Sequence, residues 1–393
     1  MKPSRRAAVP PFAVMSILNR VAQLRAQGRE VISLCAGEPS QGAPSDVRRR
    51  AAGLMVDRTP LGYTETFGIK PLRREIAAHY RRWYSLDIDE DQIALTTGSS
   101  GAFLLSFLAA FDHGDRVALT RPGYPAYRNI LASLGCQVVE LACGPAERFQ
   151  PTVEMLQAAH AAAPLTGLVV ASPANPTGTM ISRDHLADLA DWCGDHEVRL
   201  VSDEIYHGIT DRTIEASCAW EHDRESVVIS SFSKYWGMTG WRLGWSLVPA
   251  DLVSAFDALA GNFALCPPVP AQHAAIAAFT EESYREADAA VAAFADARTI
   301  LIDAIDDLGW TGVAPADGAF YVYAGIGGQL GPHRDSESWC EALLEEHGVA
   351  ITPGTDFDER DGGTAVRVSL AAGPEAVAAA LIRILRFQQS LKT

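Results

Sequence analysis

Polar residues able to do chemistry follow three apolar segments of the sequence, each where a buried strand is expected to end. Asn175 comes after Leu-Val-Val-Ala-Ser-Pro-Ala, Asp203 after Arg-Leu-Val-Ser, and Lys234 ends a Ser-Phe-Ser-Lys segment that follows Val-Val-Ile-Ser. Ligands bind outside the carboxyl ends of the strands in an open parallel sheet, so these side chains are expected to converge. Alone, Asn-Pro-Thr-Gly is an ordinary turn and an Asp after a strand is an ordinary helix cap. The three segments together, in this order, predict a ligand site.

A phosphate-binding segment precedes them. Thr-Thr-Gly-Ser-Ser-Gly at 96–101 ends a predicted strand and opens a helical run predicted over 102–111. Free N–H groups at a helix start attract an anion, and the hydroxyls of Ser99 and Ser100 add donors. Further donors that could complete the cradle are Ser231, Ser233 and Arg242. Because an arginine presents a two-pronged fork to phosphate, this set predicts a phosphorylated cofactor.

These segments need a largely parallel sheet to hold them. Short apolar runs alternate with helical patterns along most of the chain, as in α/β proteins. The spacing of Leu72, Ile76, Tyr80 and Trp83 predicts an amphipathic helix over 71–84. The strand candidates are 117–119, 138–141, 168–171, 199–201 and 227–229. Their β-branched residues do not alternate strictly with polar ones, which favours strands buried on both faces.

The pattern changes near residue 275, where a second unit is predicted. Its expected elements are a long Ala-rich helical stretch over 270–308, a strand at 320–323, a helix near 335–347, a strand at 365–369 and a final helix. This order of elements predicts a smaller α+β unit.

Composition and charge exclude several classes of protein. The 393 residues carry a formal net charge of −15 and are 48% apolar, which argues against disorder and against a nucleic-acid binder. The sequence contains no run of 18 apolar residues, so no membrane-spanning helix is predicted. Seven scattered cysteines without a Cys-x-x-Cys pair favour reduced thiols. Pro10 and Pro11 interrupt the apolar stretch that follows Arg5 and Arg6, and no cleavage signal follows, so a cytoplasmic location is expected.

Several familiar motifs are absent or incomplete. His196-Glu197 lacks the second histidine of a zinc-protease motif, 98–101 does not match Gly-x-Ser-x-Gly, and no P-loop occurs. The glycines at 325–328 have the wrong spacing for a dinucleotide loop and are interpreted as a flexible turn. The ten histidines show no metal-ligand pairing, and Arg48-Arg49-Arg50 is typical of a solvated helix face. No metal is therefore expected.

A series of short motifs covers nearly the whole chain. They are Leu-Cys-Ala-Gly-Glu-Pro at 34–39, Gly-Tyr-Thr at 62–64 followed by Gly68, Thr-Gly-Ser at 97–99, Pro-Gly-Tyr-Pro at 122–125, Asn-Pro-Thr-Gly at 175–178, Asp-Glu-Ile-Tyr at 203–206, Ser-Phe-Ser-Lys at 231–234, Gly-Trp-Arg-Leu-Gly at 240–244, Gly-Ala-Phe-Tyr at 318–321 and Arg-Val-Ser at 367–369. In this order they resemble the pyridoxal-phosphate-dependent aminotransferases of class I/II, in the aspartate aminotransferase-like superfamily of fold type I.

The resemblance implies the architecture and the domain division. It implies a large domain with a mostly parallel seven-stranded sheet flanked by helices, and a smaller α+β domain built from both chain ends. Residues 1–45 would form an N-terminal arm and part of the small domain, 46–275 the large cofactor-binding domain, and 276–393 the small C-terminal domain.

The resemblance also implies the catalytic residues. Lys234 would carry pyridoxal 5′-phosphate as an internal aldimine and shuttle a proton during the reaction, which requires a partly deprotonated amine. Asp203 would keep the pyridine nitrogen protonated; two unit charges about 4 Å apart at an effective dielectric of about 20 interact by roughly 4 kcal/mol. Asn175 and Tyr206 would hydrogen-bond the ring oxygen O3′, and Tyr124 would stack on the ring.

The remaining implied contacts are with phosphate and substrate. The phosphate set would be Ser99, Ser100, Ser231, Ser233, Arg242 and, from the neighbouring subunit, Tyr63. A homodimer with shared active sites is therefore implied. Arg367 would bind the substrate α-carboxylate, with Asn175 and the backbone of Gly37 nearby; a buried arginine is costly unless it is paired with an anion.

Three functions stay open at this stage. The favoured one is ping-pong transfer of an amino group from an L-amino acid to a 2-oxo acid. The same lysine and cofactor would also serve a lyase or a decarboxylase. A third is a cofactor-sensing regulator in which this fold is fused to a winged helix. The chain is acidic and only about 30 residues precede the core, which argues against a DNA-binding domain of that kind. Ser100 stands where aspartate-using relatives often have a lysine, which places aspartate in doubt as the substrate.

Overall fold

Helices and strands alternate along most of the computed structural model, which describes residues 1–211 and 214–392. The α-helices in these residues are α1 (Ala13–Ala26), α2 (Ser45–Val56), α3 (Lys70–Tyr84), α4 (Gly98–Ala110), α5 (Pro125–Leu134), α6 (Val153–Ala162), α7 (Arg183–Asp195), α8 (Val253–Ala264), α9 (Val269–Ala275), α10 (Glu281–Asp303), α11 (Ile305–Leu308), α12 (Ser336–His347) and α13 (Pro374–Ser390). The strands are β1 (Ile32–Ser33), β2 (Ile93–Thr96), β3 (Arg116–Arg121), β4 (Gln137–Ala142), β5 (Gly167–Ala171), β6 (Arg199–Asp203), β7 (Val227–Ser231), β8 (Gly244–Leu247), β9 (Tyr321–Gly325), β10 (Val349–Ala350), β11 (Thr352–Pro353) and β12 (Ala365–Ser369).

The large sheet has seven strands in the order β2-β8-β7-β6-β5-β3-β4. Neighbouring strands from β7 to β4 are parallel, and only β8 runs antiparallel to both of its neighbours. Every residue of β5 and β7 is buried, as expected for strands covered on both faces. The carboxyl ends of β5, β6 and β7 therefore lie side by side, which confirms the mostly parallel seven-stranded sheet.

A smaller α+β part is assembled from both ends of the chain. The antiparallel strands β11-β12-β9 form one sheet, and β1 pairs in parallel with β10. Ile32 lies opposite Val349 in that pair, so the segment before the large sheet packs against the segment after it. This pairing confirms the predicted fold class. The boundaries near residues 45 and 275 stay predictions.

The elements predicted from periodicity differ from the observed ones mainly at their ends. Helix α3 begins at Lys70, one residue before the predicted 71–84, and each of the five predicted large-sheet strands lies within an observed strand. The Ala-rich stretch predicted over 270–308 is helical over most of its length, but it is divided into α9, α10 and α11. A 3₁₀ turn over Ile276–Phe279 separates α9 from α10, and the hydroxyl of Thr280 caps α10 by accepting from the amide of Ser283. The polar cap at Thr280 therefore begins a new helix within a similar composition.

The arginine cluster, the cysteines and the helix lengths can be compared with the expectations drawn from composition. Arg48, Arg49 and Arg50 are exposed on α2, as expected for a solvated face. All seven cysteines are free thiols. Within the described ranges, no helix is both long enough and apolar enough to cross a membrane. In the same residues, no group of three His, Cys, Asp or Glu side chains is placed to hold a metal ion.

Candidate active site

A cavity of about 540 Å³ opens at the carboxyl ends of β5, β6 and β7. The sequence-predicted residues that line it are Gly37, Ser99, Ser100, Tyr124, Asn175, Asp203, Tyr206, Ser233, Lys234, Arg242 and Arg367. Two predicted residues do not line it: Ser231 is 1% exposed behind the wall, and Tyr63 is 84% exposed elsewhere on the chain. Asn175, Asp203 and Lys234, which follow three strand ends and were predicted to converge, therefore line one cavity.

Lys234 reaches across the cavity to the N-terminal segment. Its Nζ donates a hydrogen bond of 2.6 Å to the carbonyl oxygen of Gly37. Burial lowers the pKa of this amine to about 8, and the carboxylates of Asp203 and Glu38 oppose that shift. A lysine with a depressed pKa is neutral often enough near neutral pH to act as a nucleophile or a base.

Asp203 is held by two hydrogen bonds at the end of β6. The hydroxyl of Tyr127 donates to its Oδ2, and the amide of Ile205 donates to its Oδ1 over 3.1 Å. The side chain is 3% exposed, and burial raises its pKa to about 6, while these hydrogen bonds and the charge of Lys234 act in the opposite direction. Asp203 is therefore ionised at pH 7 and able to pair with a cationic ring nitrogen.

Tyr127 is a site residue that the sequence interpretation missed. It lies in the first turn of α5, three residues after Tyr124, and its ring meets that of Tyr124 edge-on at 5.3 Å between centroids. The available signal was the helical spacing of the two tyrosines, which is equally typical of core packing. Only the contact with Asp203 distinguishes the two interpretations.

Arg367 lies on β12 with its guanidinium buried in the cavity wall. It donates to Asn175 Oδ1 over 2.9 Å and to the carbonyl oxygen of Cys35 over 2.7 Å. The side chain is 3% exposed, and its Nε has no hydrogen-bond partner among the described residues. Among the described residues, Arg367 also forms no ion pair with a carboxylate. A buried cation with a free donor fits an incoming carboxylate.

Two hydroxyls meet in the wall between Asp203 and Arg367. Tyr206 Oη lies 2.7 Å from Tyr321 Oη, and both side chains are buried. The guanidinium carbon of Arg367 lies 4.5 Å from the centre of the Tyr321 ring. The Gly-Ala-Phe-Tyr motif contained Tyr321, but no role in the site was assigned to it from sequence.

The anion cradle is built around the start of α4. This helix begins at Gly98, four residues before the predicted run of 102–111, so its free amides lie at Ser99 and Ser100. Gly98 has a φ of +67°, and a Cβ there would lie 2.4 Å from Nη2 of Arg242, so glycine at this position leaves room for the guanidinium against the helix start. Backbone amides, hydroxyls and a guanidinium around one point fit a phosphate.

Ser231 supports this cradle from behind. Its Oγ lies 2.8 Å from Oγ of Ser233 and accepts from the amide of Ser233 over 3.1 Å. It also lies 3.1 Å from the carbonyl oxygen of Leu243. The hydroxyl of Ser231 thus orients Ser233, which does line the cavity, and the direct phosphate contact expected of Ser231 is not supported by this placement.

An apolar wall completes the cavity, and sequence reasoning did not find it. Its members come from the start of α1 and the residue before it: Phe12, Val14, Met15 and Leu18. The ring of Phe12 stacks on Tyr124 at 6.0 Å, and the amide of Ala13 donates to Oδ1 of Asp356 over 3.0 Å. These contacts hold α1 over the site. Apolar residues at helical spacing were the only signal, and they are typical of ordinary packing.

Comparison with known proteins identifies the family. The model of the family "Aminotransferase class I and II" matches residues 29–385. Valine–pyruvate aminotransferase of Mycobacterium tuberculosis is 50% identical over 380 residues, covering 96% of each chain. The crystal structure of an aminotransferase from the same organism superposes with a TM-score of 0.96 at 49% identity, covering 99% of this chain and 100% of that one. Thermus thermophilus aspartate aminotransferase with maleate gives 0.91 at 30% identity, covering 98% and 100%.

The fold and the site therefore define a fold type I enzyme, and the chain belongs to the class I and II aminotransferases. It is a pyridoxal-phosphate-dependent aminotransferase, which transfers an amino group between an amino acid and a 2-oxo acid. The lyase, decarboxylase and regulator interpretations are not favoured by these relatives. Family membership implies the cofactor.

Proposed function

We propose that this aminotransferase acts on L-amino acids with apolar side chains, such as valine, and uses pyruvate as an amino acceptor. The observation that carries this proposal is the apolar wall of Phe12, Val14, Met15 and Leu18 on one side of the cavity. The name of the relative at 50% identity agrees with it.

The charges of the cavity support the same substrate class. Among the described lining residues the cations are Lys234, Arg242 and Arg367. Each has a task in the proposal, as base, phosphate ligand and α-carboxylate ligand respectively. A second carboxylate on the substrate would find no further arginine or lysine in this lining, and an unpaired charge against an apolar wall is costly.

The residues of the cavity fit pyridoxal phosphate. The cradle at Gly98 and Arg242 suits its phosphate, and the ionised Asp203 suits its pyridine nitrogen. Tyr124 is placed to cover a ring, while Asn175 and Tyr206 supply donors for a phenolic oxygen. Ser99, Ser100 and Ser233 supply the cradle's hydroxyls and amides, with Ser231 behind them. When bound, the cofactor supplies an electron sink that stabilises negative charge at the substrate α-carbon.

The protein's own part of the reaction is positioning and proton transfer. Arg367 binds the α-carboxylate; its guanidinium is held by Asn175 and the Cys35 carbonyl, and the Gly37 backbone lies in the same cavity lining. Lys234 Nζ, with its depressed pKa, takes the proton from the α-carbon of the amino donor and, in the second half of the reaction, delivers a proton to the α-carbon that comes from the 2-oxo acid. Apolar residues of α1 bind the substrate side chain and exclude water. The 2-oxo acid formed from the amino donor leaves before the acceptor binds to the same residues, which is a ping-pong sequence.

A panel of amino donors tests the substrate class. Holoenzyme is given pyruvate and one amino acid at a time, and alanine formation is measured. Valine and leucine should give kcat/KM at least about tenfold above aspartate and glutamate, which corresponds to about 1.4 kcal/mol. Faster use of aspartate than of valine would contradict the proposal.

A matched pair of variants locates the cause. Met15 is 53% exposed and lines the cavity, so it tolerates a longer polar side chain. Met15→Arg adds a cation to the wall and should raise the aspartate-to-valine ratio of kcat/KM by up to about fivefold, the effect of a solvated ion pair. Met15→Gln adds polarity without charge and should leave that ratio near the wild-type value. An equal ratio in both variants would contradict the wall's role.

We further propose a homodimer in which Tyr63 of one subunit completes the phosphate site of the other. The 84% exposure of this tyrosine and its position outside the cavity of its own chain support this role. Co-expression of Lys234→Ala with Tyr63→Ala tests it, because a mixed dimer would regain one intact site. Activity well above that of either variant alone is expected. If no activity is recovered although light scattering shows that dimers are present, the shared site is contradicted.

The division of the chain also belongs to the proposal. Residues 1–45 would serve as arm and part of the small domain, 46–275 as the cofactor domain and 276–393 as the remainder of the small domain. The cytoplasmic location suggested by the reduced cysteines stays a prediction. Fractionation of the source cells, with a known cytoplasmic enzyme as marker, would test it.

A further inference from the structure

We propose that Tyr321 is a positioning residue that couples the carboxylate-binding arginine, Arg367, to the hydroxyl of Tyr206. The inference rests on the proposed function, because it uses the roles given there to Arg367 and Tyr206. It adds a residue to which neither the sequence motifs nor the proposed mechanism assigns a task.

The position of Tyr321 between the two parts of the molecule is the first support. It lies on β9, which pairs with β12, the strand that carries Arg367. Tyr206 instead follows β6 of the large sheet. The two hydroxyls lie 2.7 Å apart, and their rings meet at 78° with centroids 5.6 Å apart. Tyr321 therefore makes a second direct contact between a side chain of the small sheet and a cofactor-facing side chain of the large one, beside that of Arg367 with Asn175.

The proton count of the hydroxyl pair fixes its direction. A tyrosine hydroxyl carries one proton and can donate one hydrogen bond. When Tyr206 donates its proton to the phenolic oxygen of the cofactor, the contact of 2.7 Å requires Tyr321 to be the donor to Tyr206. A donor that itself accepts a hydrogen bond is strengthened by it. Tyr321 thus holds Tyr206 in the orientation in which it donates toward the cavity.

The ring of Tyr321 performs the second part of the coupling. The guanidinium carbon of Arg367 lies 4.5 Å from its centre and 4.7 Å from the centre of the Phe357 ring. Such contacts fix the plane of an arginine that must meet a carboxylate. One side chain therefore touches the residue that receives the substrate carboxylate and the residue that donates to the cofactor.

A third contact joins Tyr321 to the segment that holds Lys234. A Cβ at Gly37 would lie 3.0 Å from the hydroxyl oxygen of Tyr321, so this hydroxyl packs directly against that backbone. The carbonyl oxygen of the same glycine accepts from Lys234. A larger residue at position 37 would crowd this hydroxyl.

Two substitutions separate the hydroxyl from the ring. Tyr321→Phe keeps the ring on Arg367 and removes the donor, whereas Tyr321→Leu removes both. The holoenzyme's visible absorbance is titrated with pH, and the single-turnover reaction with valine is measured over a range of concentrations. These measurements give the titration midpoint of the bound cofactor, the maximal rate and the dissociation constant of the amino acid.

The expected results differ between the two variants. A donor to the phenolic oxygen favours its ionised form, so Tyr321→Phe should raise the midpoint by about 0.2 to 0.5 unit, less than Tyr206→Phe does. The maximal rate should fall about fivefold, while the dissociation constant of valine changes less than about twofold. Tyr321→Leu should in addition raise that dissociation constant about tenfold through the loss of the ring contact.

Controls keep structural damage apart from the proposed role. Tyr80 is also a buried tyrosine, outside the cavity lining, and its hydroxyl accepts from Nε1 of Trp245 over 3.1 Å. Tyr80→Phe should lower the melting temperature of the apo-protein about as much as Tyr321→Phe, with no shift in the midpoint. Tyr206→Phe without a midpoint shift would contradict the proposed function itself. A shift in Tyr206→Phe with none in Tyr321→Phe, or equal dissociation constants in Tyr321→Phe and Tyr321→Leu, would overturn the role of Tyr321.

Discussion

Lys234 Nζ donates to the carbonyl oxygen of Gly37 over 2.6 Å, although the two residues are 197 positions apart in the chain. The contact ties the lysine after β7 to the segment that leads from β1 toward α2. It fixes the amine among Asp203, Arg367 and the cradle at the start of α4, in a cavity that α1 covers. The amine is thus buried enough for its pKa to fall.

Substitution of Lys234 should abolish covalent attachment of the cofactor. The chain has three other lysines, Lys2, Lys70 and Lys392, so attachment is easily mapped. Wild-type protein treated with pyridoxal phosphate and borohydride should carry the reduced adduct on Lys234 by mass spectrometry. Lys234→Ala should carry none, while Lys70→Ala behaves as wild type. An adduct of equal yield on another lysine in Lys234→Ala would show that the wrong lysine has been assigned.

The rate of cofactor capture by the apo-protein should rise with pH through about 8, the depressed pKa of Lys234. Below that pH the amine is protonated and cannot attack an aldehyde, and above it the neutral form dominates. The carboxylate of Asp203 raises this pKa, so Asp203→Asn should move the profile to lower pH. Stopped-flow absorbance between pH 6 and pH 10 measures both profiles. A profile centred near the ordinary value for lysine would contradict the effect of burial.

Arg367→Ala should raise KM for amino acids of every side chain by at least about 30-fold, since loss of a buried charge partner costs about 2 kcal/mol or more. The change should fall on KM more than on kcat, because the carboxylate is bound in both the ground state and the transition state. Steady-state kinetics with alanine, valine and leucine check this. Glu140→Gln removes a charge outside the cavity and serves as control. A loss confined to one amino acid would argue for a side-chain contact instead.

Tyr127→Phe should weaken cofactor binding by about tenfold, the value of about one hydrogen bond to a charged group. The hydroxyl of Tyr127 lowers the pKa of Asp203 by donating to it, so its removal raises that pKa above about 6. The loss of affinity should therefore be larger at pH 6 than at pH 8. Equilibrium dialysis of pyridoxal phosphate against apo-protein at both values measures it. Equal affinity for wild type and variant at pH 6 would contradict the role of Tyr127.

Sequence periodicity predicted most of the large sheet because its strands are local apolar runs and its helices are local amphipathic patterns. Helix α3 and the strands that end near Asn175, Asp203 and Lys234 needed no information from distant residues. The helical stretch predicted over 270–308 is divided by a 3₁₀ turn and by the new helix start at Thr280, and composition alone does not show such a division.

The residues of the candidate site also fall into a part that the sequence predicted and a part that it did not. The sequence by itself determined the family and the residues at the ends of β5, β6 and β7, because a parallel sheet brings consecutive strand ends together whatever the rest of the chain does. It also pointed to an anion site at the start of α4, whereas the structure decided that the helix begins at Gly98 and leaves the amides of Ser99 and Ser100 free.

Only the tertiary structure decided which distant groups complete the site. Arg367 meets Asn175 and the Cys35 carbonyl across 192 and 332 residues of chain, and no local pattern encodes such contacts. Tyr127 and the apolar residues of α1 look like core residues until the contacts of Asp203 and the walls of the cavity are known. Ser231 looks like a ligand until its hydroxyl is found turned toward Ser233. Chemistry at strand ends is local in sequence, whereas orientation and specificity come from packing between segments far apart in the chain.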